Sequence, residues 1–527
     1  MEYKDTLNLP KTDFPMKANL PNREPDILKL WKDHSIFQKA LDKSKNSKKY
    51  VLHDGPPYAN GDIHIGHAVN KILKDFIIKS KILSGYHTPF IPGWDCHGLP
   101  IELQVEKKYG KGKFKDNPNA FVAACREFAS KQIEKQKIDF IRLGVFADWD
   151  NPYTSMDKEV ESGIVKSLSK IIENNHIYFG SKPVHWCIES SSALAEAEVE
   201  YKDIVSKAVC VKFSIANSSD LTFAKNIDQK AKISIPIWTT TPWTLPANRA
   251  VAVSKDIDYS LVQVDKNYLI IAKKLVNSVM EKSSISEFRI IEESIKSEMS
   301  NVLLDHPFYD IRVPLIFAEH VTDENGTGAV HIAPGHGTED YLAGLQHGLE
   351  VFNPVDDYGR FKESLPIFGG MKVRESNQEI VSLLNKNDVL LFSEDYEHSY
   401  PHCWRYKTPL IFRATPQWFM SMEKSSLRKS IKDDIKNINW LPSWGEDRIF
   451  NMIDGRPDWC LSRQRFWGVP IPLFLHKDTN ELHPNTSSIL EEAQKIALKL
   501  IKINEGHEEA LLVILSYAKS KNDTYTF

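Results

Sequence analysis

The spacing of apolar positions along the chain changes character several times. In "HAVNKILKDFIIKSKIL" (67–83), Val69, Ile72, Leu73, Phe76 and Ile77 recur at helical intervals and predict a helix with those side chains on one face. "YVL" (50–52) reads as the end of a strand, and the Pro/Gly segment 55–61 as the loop joining it to that helix. "NPNAFVAACREFASKQIEKQKIDFIRLG" (117–144) predicts a second helix with marked ends: Asn117 as N-cap, Pro118 in the first turn, Gly144 just past the last turn. Short strands and helices alternate to about residue 185, which predicts an α/β domain built on a parallel sheet.

Between about 205 and 395 the pattern shortens. "AVCVKFSI", "KISIPIWTTT", "RAVAVS" and "YSLVQV" are β-branched runs separated by Asn, Asp and Lys turns, so a β-rich insertion is expected there. Aromatic and Arg-rich segments return from 396. The expected organisation is an N-terminal arm with one short helix around "EPDILKLWKDHSIFQKAL" (1–49), a first α/β part (50–204), the β-rich insertion (205–395), a return to the α/β domain (396–486) and an atypical tail (487–527). That tail is expected to hold one or two amphipathic helices broken at Gly506.

Composition narrows the class. With 42% apolar and 26% charged residues the chain reads as globular, and 527 residues exceed what one core usually supports. The net charge of −3 offers no overall basic footprint, so any contact with RNA must be local. Six scattered cysteines without a C-x-x-C pair argue against a disulfide framework and for a reducing compartment. The charged, Pro-bearing start shows no signal or transit peptide, and "ALLVIL" (510–515) is too short to span a bilayer; a cytoplasmic protein without a membrane partner is expected.

"HDGPPYANGDIHIGHAVNK" (53–71) gathers His53, His64 and His67 with Gly55, Gly61 and Gly66. Three readings compete. A metal would need a third ligand, and the i, i+3 spacing of His64 and His67 differs from the usual zinc helix, so no metal-ligating set is expected there. The histidines could simply cap the helix. A phosphate has the stronger physics: the first turn presents unpaired N–H groups and the positive dipole end, glycines allow close approach, and imidazole N–H groups add donors.

The "HIGH" at 64–67, after "PPYANGD", resembles the first signature of class I aminoacyl-tRNA synthetases. "GWDCHGLPIE" (93–102), "WTTTPWTLPANRA" (238–250), "GTGAVHIAPGHGTEDY" (326–341) and "RPDWCLSRQRFWGVPIPLF" (456–474) are similar, in the same order, to the bacterial-type isoleucyl branch of that class. The resemblance implies a Rossmann-like catalytic domain interrupted by an editing domain. It implies ATP with Mg2+, isoleucine and tRNA(Ile) as substrates. Gly61, His64, Gly66 and His67 would bind ATP, the two histidines acting on its phosphates and Gly66 leaving room for the adenine. Pro56 and Asp95 would hold the amino acid, Asp95 by its ammonium. The attacking carboxylate is already ionised at neutral pH, so the site has only to position the reactants and stabilise charge.

Isoleucine and valine differ by one methylene, which a single pocket separates poorly, a limit already recognised for isoleucyl enzymes, so a hydrolytic second site is implied. Thr239, Thr240 and Thr241 would serve the terminal ribose and the attacking water, Asp340 the ammonium of the wrong amino acid, and His331 the pocket wall. Local readings stay open beside these: Asp95 as a turn cap, Pro56 as a stiffener of its loop, the threonines as strand material.

The resemblance also has gaps. Cys187 and Cys403 stand where relatives carry zinc knuckles, but Ser190 and Tyr406 occupy the second positions; two thiols cannot close a tetrahedral site, and no structural zinc is expected. The family's later blocks, including its Lys-Met-Ser-Lys-Ser loop, do not occur. Full activity is therefore expected to need that segment in the same chain or in a complementary chain. The alternatives are a protein that only binds tRNA acceptor ends and edits, or an inactive remnant.

Overall fold

The computed structural model describes residues 2–8, 12–13, 17–110, 112–114, 116–216, 227, 231–295, 299, 302–503 and 525–526. The architecture is mixed α/β, in two compact units: one of 1–170 with 465–478 and 482–527, the other of 171–464 with 479–481.

The first unit is mainly helical: α1 (Leu20–Asp33), α2 (Ile36–Lys43), α3 (Ile65–Leu83), α4 (Leu99–Tyr109), α5 (Pro118–Arg142) and the start of α6 (Lys158–Glu173). The single N-terminal helix expected from the sequence is two, because the chain breaks at Ser35, whose φ of +48° no helix continues. Residues 50–52 are not a strand; pairing there is one bridge between Lys49 and His87. The parallel sheet is correspondingly small, β1 (Gly93–Trp94) beside β2 (Tyr153–Thr154), with a further parallel bridge between Tyr58 and Asp95. α5 starts and stops where its sequence places it: Asn117 Oδ1 accepts from Ala120 N at 3.0 Å, and Gly144 takes φ +78° beyond its end.

α3 carries its expected apolar stripe, but outward. Leu73 is 56% and Phe76 62% exposed, and Val69 and Ile77 are exposed too, while Lys71, Asp75 and Ile78 are buried. Electrostatics set this orientation. Asp54 takes both Lys71 and Lys74, and Asp75 accepts from Phe146 N at 2.8 Å and from Lys79 at 2.6 Å, so the charged side of the helix turns inward to buried partners.

The second unit is built around a mixed sheet of β5 (Val199–Ile215), β6 (Ile233–Thr239), β7 (Ala250–Val253), β8 (Tyr259–Val264), β9 (Asn267–Ala272), β10 (Arg289–Glu292), β11 (Leu303–Asp305), β12 (Arg312–Phe317), β13 (Val330–Ile332) and β14 (Leu390–Cys403). Every β-branched run read from the sequence lies in it. α7 (Val276–Lys282), α8 (Thr338–Gln346) and α9 (Ser376–Lys386) accompany the sheet. A second sheet pairs β3 (Ile177–Cys187) with β4 (Ser192–Leu194) and β15 (Ile411–Met420), and β15 with β16 (Trp459–Cys460). α10 (Leu427–Ile435) and α11 (Gly445–Asp454) precede β16. The unit's core is apolar almost throughout, with Val209, Val211, Phe213, Ile235, Ile237 and Leu261 fully covered. In the tail, α12 (Thr486–Ile503) forms; Gly506 and "ALLVIL" lie outside the described residues.

One glycine tests the packing of the second unit. A Cβ at Gly335 would stand 2.1 Å from the Phe352 carbonyl oxygen, which is backbone and cannot swing away. Gly335→Ala is expected to cost about 3 kcal/mol or more in urea unfolding, whereas Gly163→Ala, inside α6 with nothing within 4 Å, is expected to be neutral or to stabilise by under ~1 kcal/mol.

Candidate functional site

The histidine stretch sits where α3 begins. His64 is the N-cap, in extended conformation, and its Nδ1 accepts from Gly66 N at 3.1 Å; the Nδ1 of His67 accepts from His64 N at 3.2 Å. The capping reading of the sequence is thus realised, and it carries a chemical consequence. An Nδ1 that accepts an N–H has no proton, so each neutral ring carries its proton on Nε2, the nitrogen the cap does not use. The rings lie 4.0 Å apart. Partial burial, with His64 and Lys71 nearby, lowers the His67 pKa below the usual imidazole value, which keeps that ring neutral at pH 7. Gly66 has a local reason for its identity as well: a Cβ there would meet His64 Cε1 at 2.9 Å and break the cap.

Below the cap, buried Asp54 gathers Lys71, Lys74 at 2.5 Å and Gly93 N at 3.3 Å. Burial lowers the Lys71 pKa against the pull of Asp54. Two ammonium groups on one carboxylate leave a net positive charge at the foot of the 53–61 loop. Gln136, fully buried on α5, fixes the other side of the loop: its amide donates to Tyr58 O (3.1 Å) and Gly61 O (2.6 Å) and accepts from Trp94 Nε1 (2.9 Å).

The same loop meets Asp95. Asp95 N donates to Pro57 O at 2.9 Å, Ala59 N donates back to Asp95 O at 3.0 Å, and a Cβ on Gly93 would stand 3.4 Å from Pro56. Pro56 and Asp95 therefore lie on neighbouring strands of chain. Asp95 Oδ1 accepts from His97 N and Ser155 Oγ, each at 3.4 Å, and burial raises its pKa above the ordinary carboxylate value. Buried Glu102 accepts from Phe466 N (3.1 Å) and Trp467 N (2.9 Å), and Trp467 Nε1 donates to Cys96 O (2.5 Å). The Trp467 ring packs against His97 and Arg126, both of which Glu161 holds, at 3.1 and 3.0 Å. Sequence reasoning assigned no role to Gln136, Glu102 or Glu161; each is one polar residue in an ordinary helical pattern, and only the partners it meets after folding reveal it.

The second unit holds a separate constellation. Thr241 N donates to Thr239 Oγ1 at 3.1 Å, and the Thr239 and Thr241 hydroxyls are 3.3 Å apart. Thr244 Oγ1 donates to Thr241 O at 2.8 Å and lies 3.0 Å from His331 Nε2. Since the Thr244 proton is spent on that carbonyl, His331 Nε2–H must be the donor to Thr244, which leaves its Nδ1 lone pair buried without a protein partner. Thr240 lies between the linked threonines, partly exposed. Thr244 was missed in the sequence although it stands three residues beyond the triplet, on the next turn.

Two more buried histidines complete the set. His306 Nε2 donates to Leu245 O at 3.1 Å, and His336 Nδ1 to Phe412 O at 2.8 Å. Burial pushes the pKa of His331 to about 3 and those of His306 and His336 to about 4, so all three are neutral. Asp340, in the first turn of α8, accepts from Ala333 N at 2.8 Å, two residues beyond His331; burial outweighs that bond and raises its pKa to about 7. A carboxylate so placed gains from a cation brought to it. Among the described residues no group of three or more His, Cys, Asp or Glu is arranged to hold a metal ion, and no helix is long and apolar enough to cross a membrane.

The family model of the class I tRNA synthetases (I, L, M and V) matches residues 26–526. The isoleucine–tRNA ligase of Shewanella piezotolerans (strain WP3 / JCM 13877) is 53% identical over 495 residues, covering 93% of this chain and 53% of its own length. That of Legionella pneumophila (strain Lens) is 53% identical over 503 residues, covering 95% and 54%. That of Photobacterium profundum is 51% identical over 507 residues, covering 94% and 53%. The chain thus spans about half the length of the curated relatives it matches.

Asp340 gives a stability test with a definite sign. Its folded pKa of about 7 lies above the unfolded value of 3.8, so the native state holds a proton that the unfolded state releases between these values, and its contribution is lost as pH rises through that window. Asp340→Asn keeps an oxygen for Ala333 N but cannot ionise. Relative to the parent chain the variant is expected to gain about 1–3 kcal/mol between pH 4 and pH 8 in urea unfolding; a difference that stays flat would contradict the half-buried, proton-holding Asp340.

Proposed function

The chain belongs to the class I tRNA synthetases of the isoleucine, leucine, methionine and valine group, and on that premise we propose that it is an isoleucine-specific member, with ATP accompanied by Mg2+, isoleucine and tRNA(Ile) as substrates. In this reading 50–204 and 396–486 are the catalytic domain and 205–395 the editing insertion. The observation that carries it is the paired imidazole cap of α3, tied through its loop to Asp95.

The substrate carboxylate attacks the α-phosphorus of ATP, a P–O bond forms, and the bond to pyrophosphate breaks. No base is required. His64 and His67, fixed with protons on Nε2, donate to phosphate oxygens as charge shifts toward the leaving group, and the first-turn amides and dipole of α3 add to the same field. Neutral donors suit this chemistry, because they bind the oxygens without offering a proton that would quench the leaving group early. Asp95 pairs with the ammonium of the amino acid, and the Asp54 carboxylate holds two lysines so that the loop presents excess positive charge to the nucleotide. Gly61 and Pro56 shape the loop through their backbones.

In the second unit, Asp340 receives the ammonium of a misattached valine and ionises as it does so. The hydroxyls of Thr239, Thr240 and Thr241 serve the terminal ribose and the attacking water, and buried His331 shapes the pocket wall through its bond to Thr244. Water adds to the ester carbonyl and the bond to the ribose oxygen breaks, giving valine and free tRNA. Because these residues lie within one compact unit, a second reading is also supported: a chain that edits without activating isoleucine, full ligation then needing a complementary chain.

Two assays on the chain by itself separate these readings. Isoleucine-dependent ATP–pyrophosphate exchange is expected for the first, and His64→Ala or His67→Ala should each lower it about 100-fold. Release of valine from Val-tRNA(Ile), lost in Asp340→Ala, is expected for both. Release without exchange leaves the editing reading alone; neither activity would overturn the proposal.

A further inference from the structure

The buried stripe of α5 runs through Phe121, Cys125, Ala129, Ile133, Gln136 and Phe140. Helical spacing asks for an apolar residue at 136, yet an amide stands there and is wholly covered. It is also fully used. Its two N–H groups go to Tyr58 O at 3.1 Å and Gly61 O at 2.6 Å, and its oxygen accepts from Trp94 Nε1 at 2.9 Å. The orientation has no alternative, because an indole N–H only donates and a carbonyl only accepts; turned over, the amide would set like against like at all three contacts.

These partners belong to two stretches of chain. Trp94 immediately precedes Asp95, and its ring packs with Phe140 and Trp149 at 6.4 and 6.3 Å. Gly61 lies three residues before His64, the N-cap of α3, and Tyr58 sits between Pro57 and Ala59, which exchange backbone bonds with Asp95 at 2.9 and 3.0 Å. Each end has supports of its own: Asp95 keeps His97 N and Ser155 Oγ, and the cap keeps its two Nδ1 bonds. Loss of the amide at 136 therefore leaves both ends built and releases the spacing between them.

We propose that Gln136 is a positioning residue that sets the spacing between the amino-acid end of the site at Asp95 and the phosphate end at His64 and His67. The inference rests on the roles proposed for those three residues. Attack of a carboxylate on phosphorus needs both groups in contact and in line, and a misplacement of about 1 Å costs on the order of 100-fold. Gln136 touches neither substrate; it acts through Trp94 and the backbone of Tyr58 and Gly61. A ligand that fills one end is indifferent to it, and a ligand that spans both ends is not.

The test compares three ligands by titration calorimetry on the full chain: isoleucine, ATP with Mg2+, and 5′-O-(N-isoleucylsulfamoyl)adenosine, a stable mimic of the joined product whose sulfamoyl group stands for the α-phosphate. Gln136→Met keeps the length of the side chain and loses all three bonds. The mimic is expected to bind this variant about 10- to 100-fold more weakly, with isoleucine and ATP each within about threefold of the parent chain. Trp94→Phe, which removes the indole donor, is expected to weaken the mimic selectively too, and the double variant to bind it no more weakly than the weaker single one, because both changes break one link. Equal loss of all three ligands would make Gln136 a structural residue only, and an unchanged mimic would show that the loop needs no tie; either overturns the proposal. Should Gln136→Met fail to fold by circular dichroism, Trp94→Phe decides on the same two outcomes. A parent chain that binds none of the three ligands overturns the proposed function and this proposal together, whereas a parent and a variant that bind all three alike overturn this proposal alone.

Discussion

The arrangement at the start of α3 depends on a reciprocal cap. Two backbone N–H groups at the start of α3, which a helix cannot satisfy by itself, are taken up by the Nδ1 atoms of His64 and His67. This fixes the helix start, brings the two rings to 4.0 Å and dictates which nitrogen carries the proton. A capping interaction usually contributes only about 1 kcal/mol. Here it also decides the tautomer, and with it whether the rings offer donors or acceptors to an anion. The capping reading of the sequence therefore does not compete with the proposed phosphate-binding one: one nitrogen of each ring serves the helix, and the other is not used by the cap.

The cap depends in turn on buried polar anchors. Asp54 with its two lysines holds the loop to α3, and Gln136 holds it to Trp94. Removing one member of such a group leaves its partner buried and unpaired, which costs far more than the contact itself contributes. The anchors also determine how α3 faces. A helix whose inner side carries Lys71 and Asp75 has to leave its apolar stripe outward, against the rule that apolar positions mark the buried side.

That case shows where sequence reasoning works and where it stops. The ends of α5 were legible because capping is local: Asn117, Pro118 and Gly144 act on their immediate neighbours. The strands of the second unit were legible because β-branched runs between turn residues report burial directly. The facing of α3 was not, since it depends on Asp54 meeting Lys71 and Lys74 and on Asp75 meeting the Phe146 amide, partners that lie far from each other in sequence. Nor was the break at Ser35, which no glycine or proline announces. Among the site residues, the sequence marked His64, His67 and Asp95 by motif, but Gln136, Glu161 and Thr244 emerge only from the partners they meet after folding. The second unit repeats the lesson: burial keeps His306, His331 and His336 neutral and raises the pKa of Asp340, none of which the sequence announces.

The tautomers of His64 and His67 are the most direct measure of this account. Long-range proton–nitrogen correlation spectra of chain labelled with 15N-histidine, with each ring assigned by its glutamine variant, report the protonation of both nitrogens at neutral pH. Both rings are predicted to show a bare Nδ1 and a protonated Nε2. A proton on Nδ1 of either ring, or a charged imidazolium at His67 near pH 7, would contradict the cap and the neutral-donor role built on it.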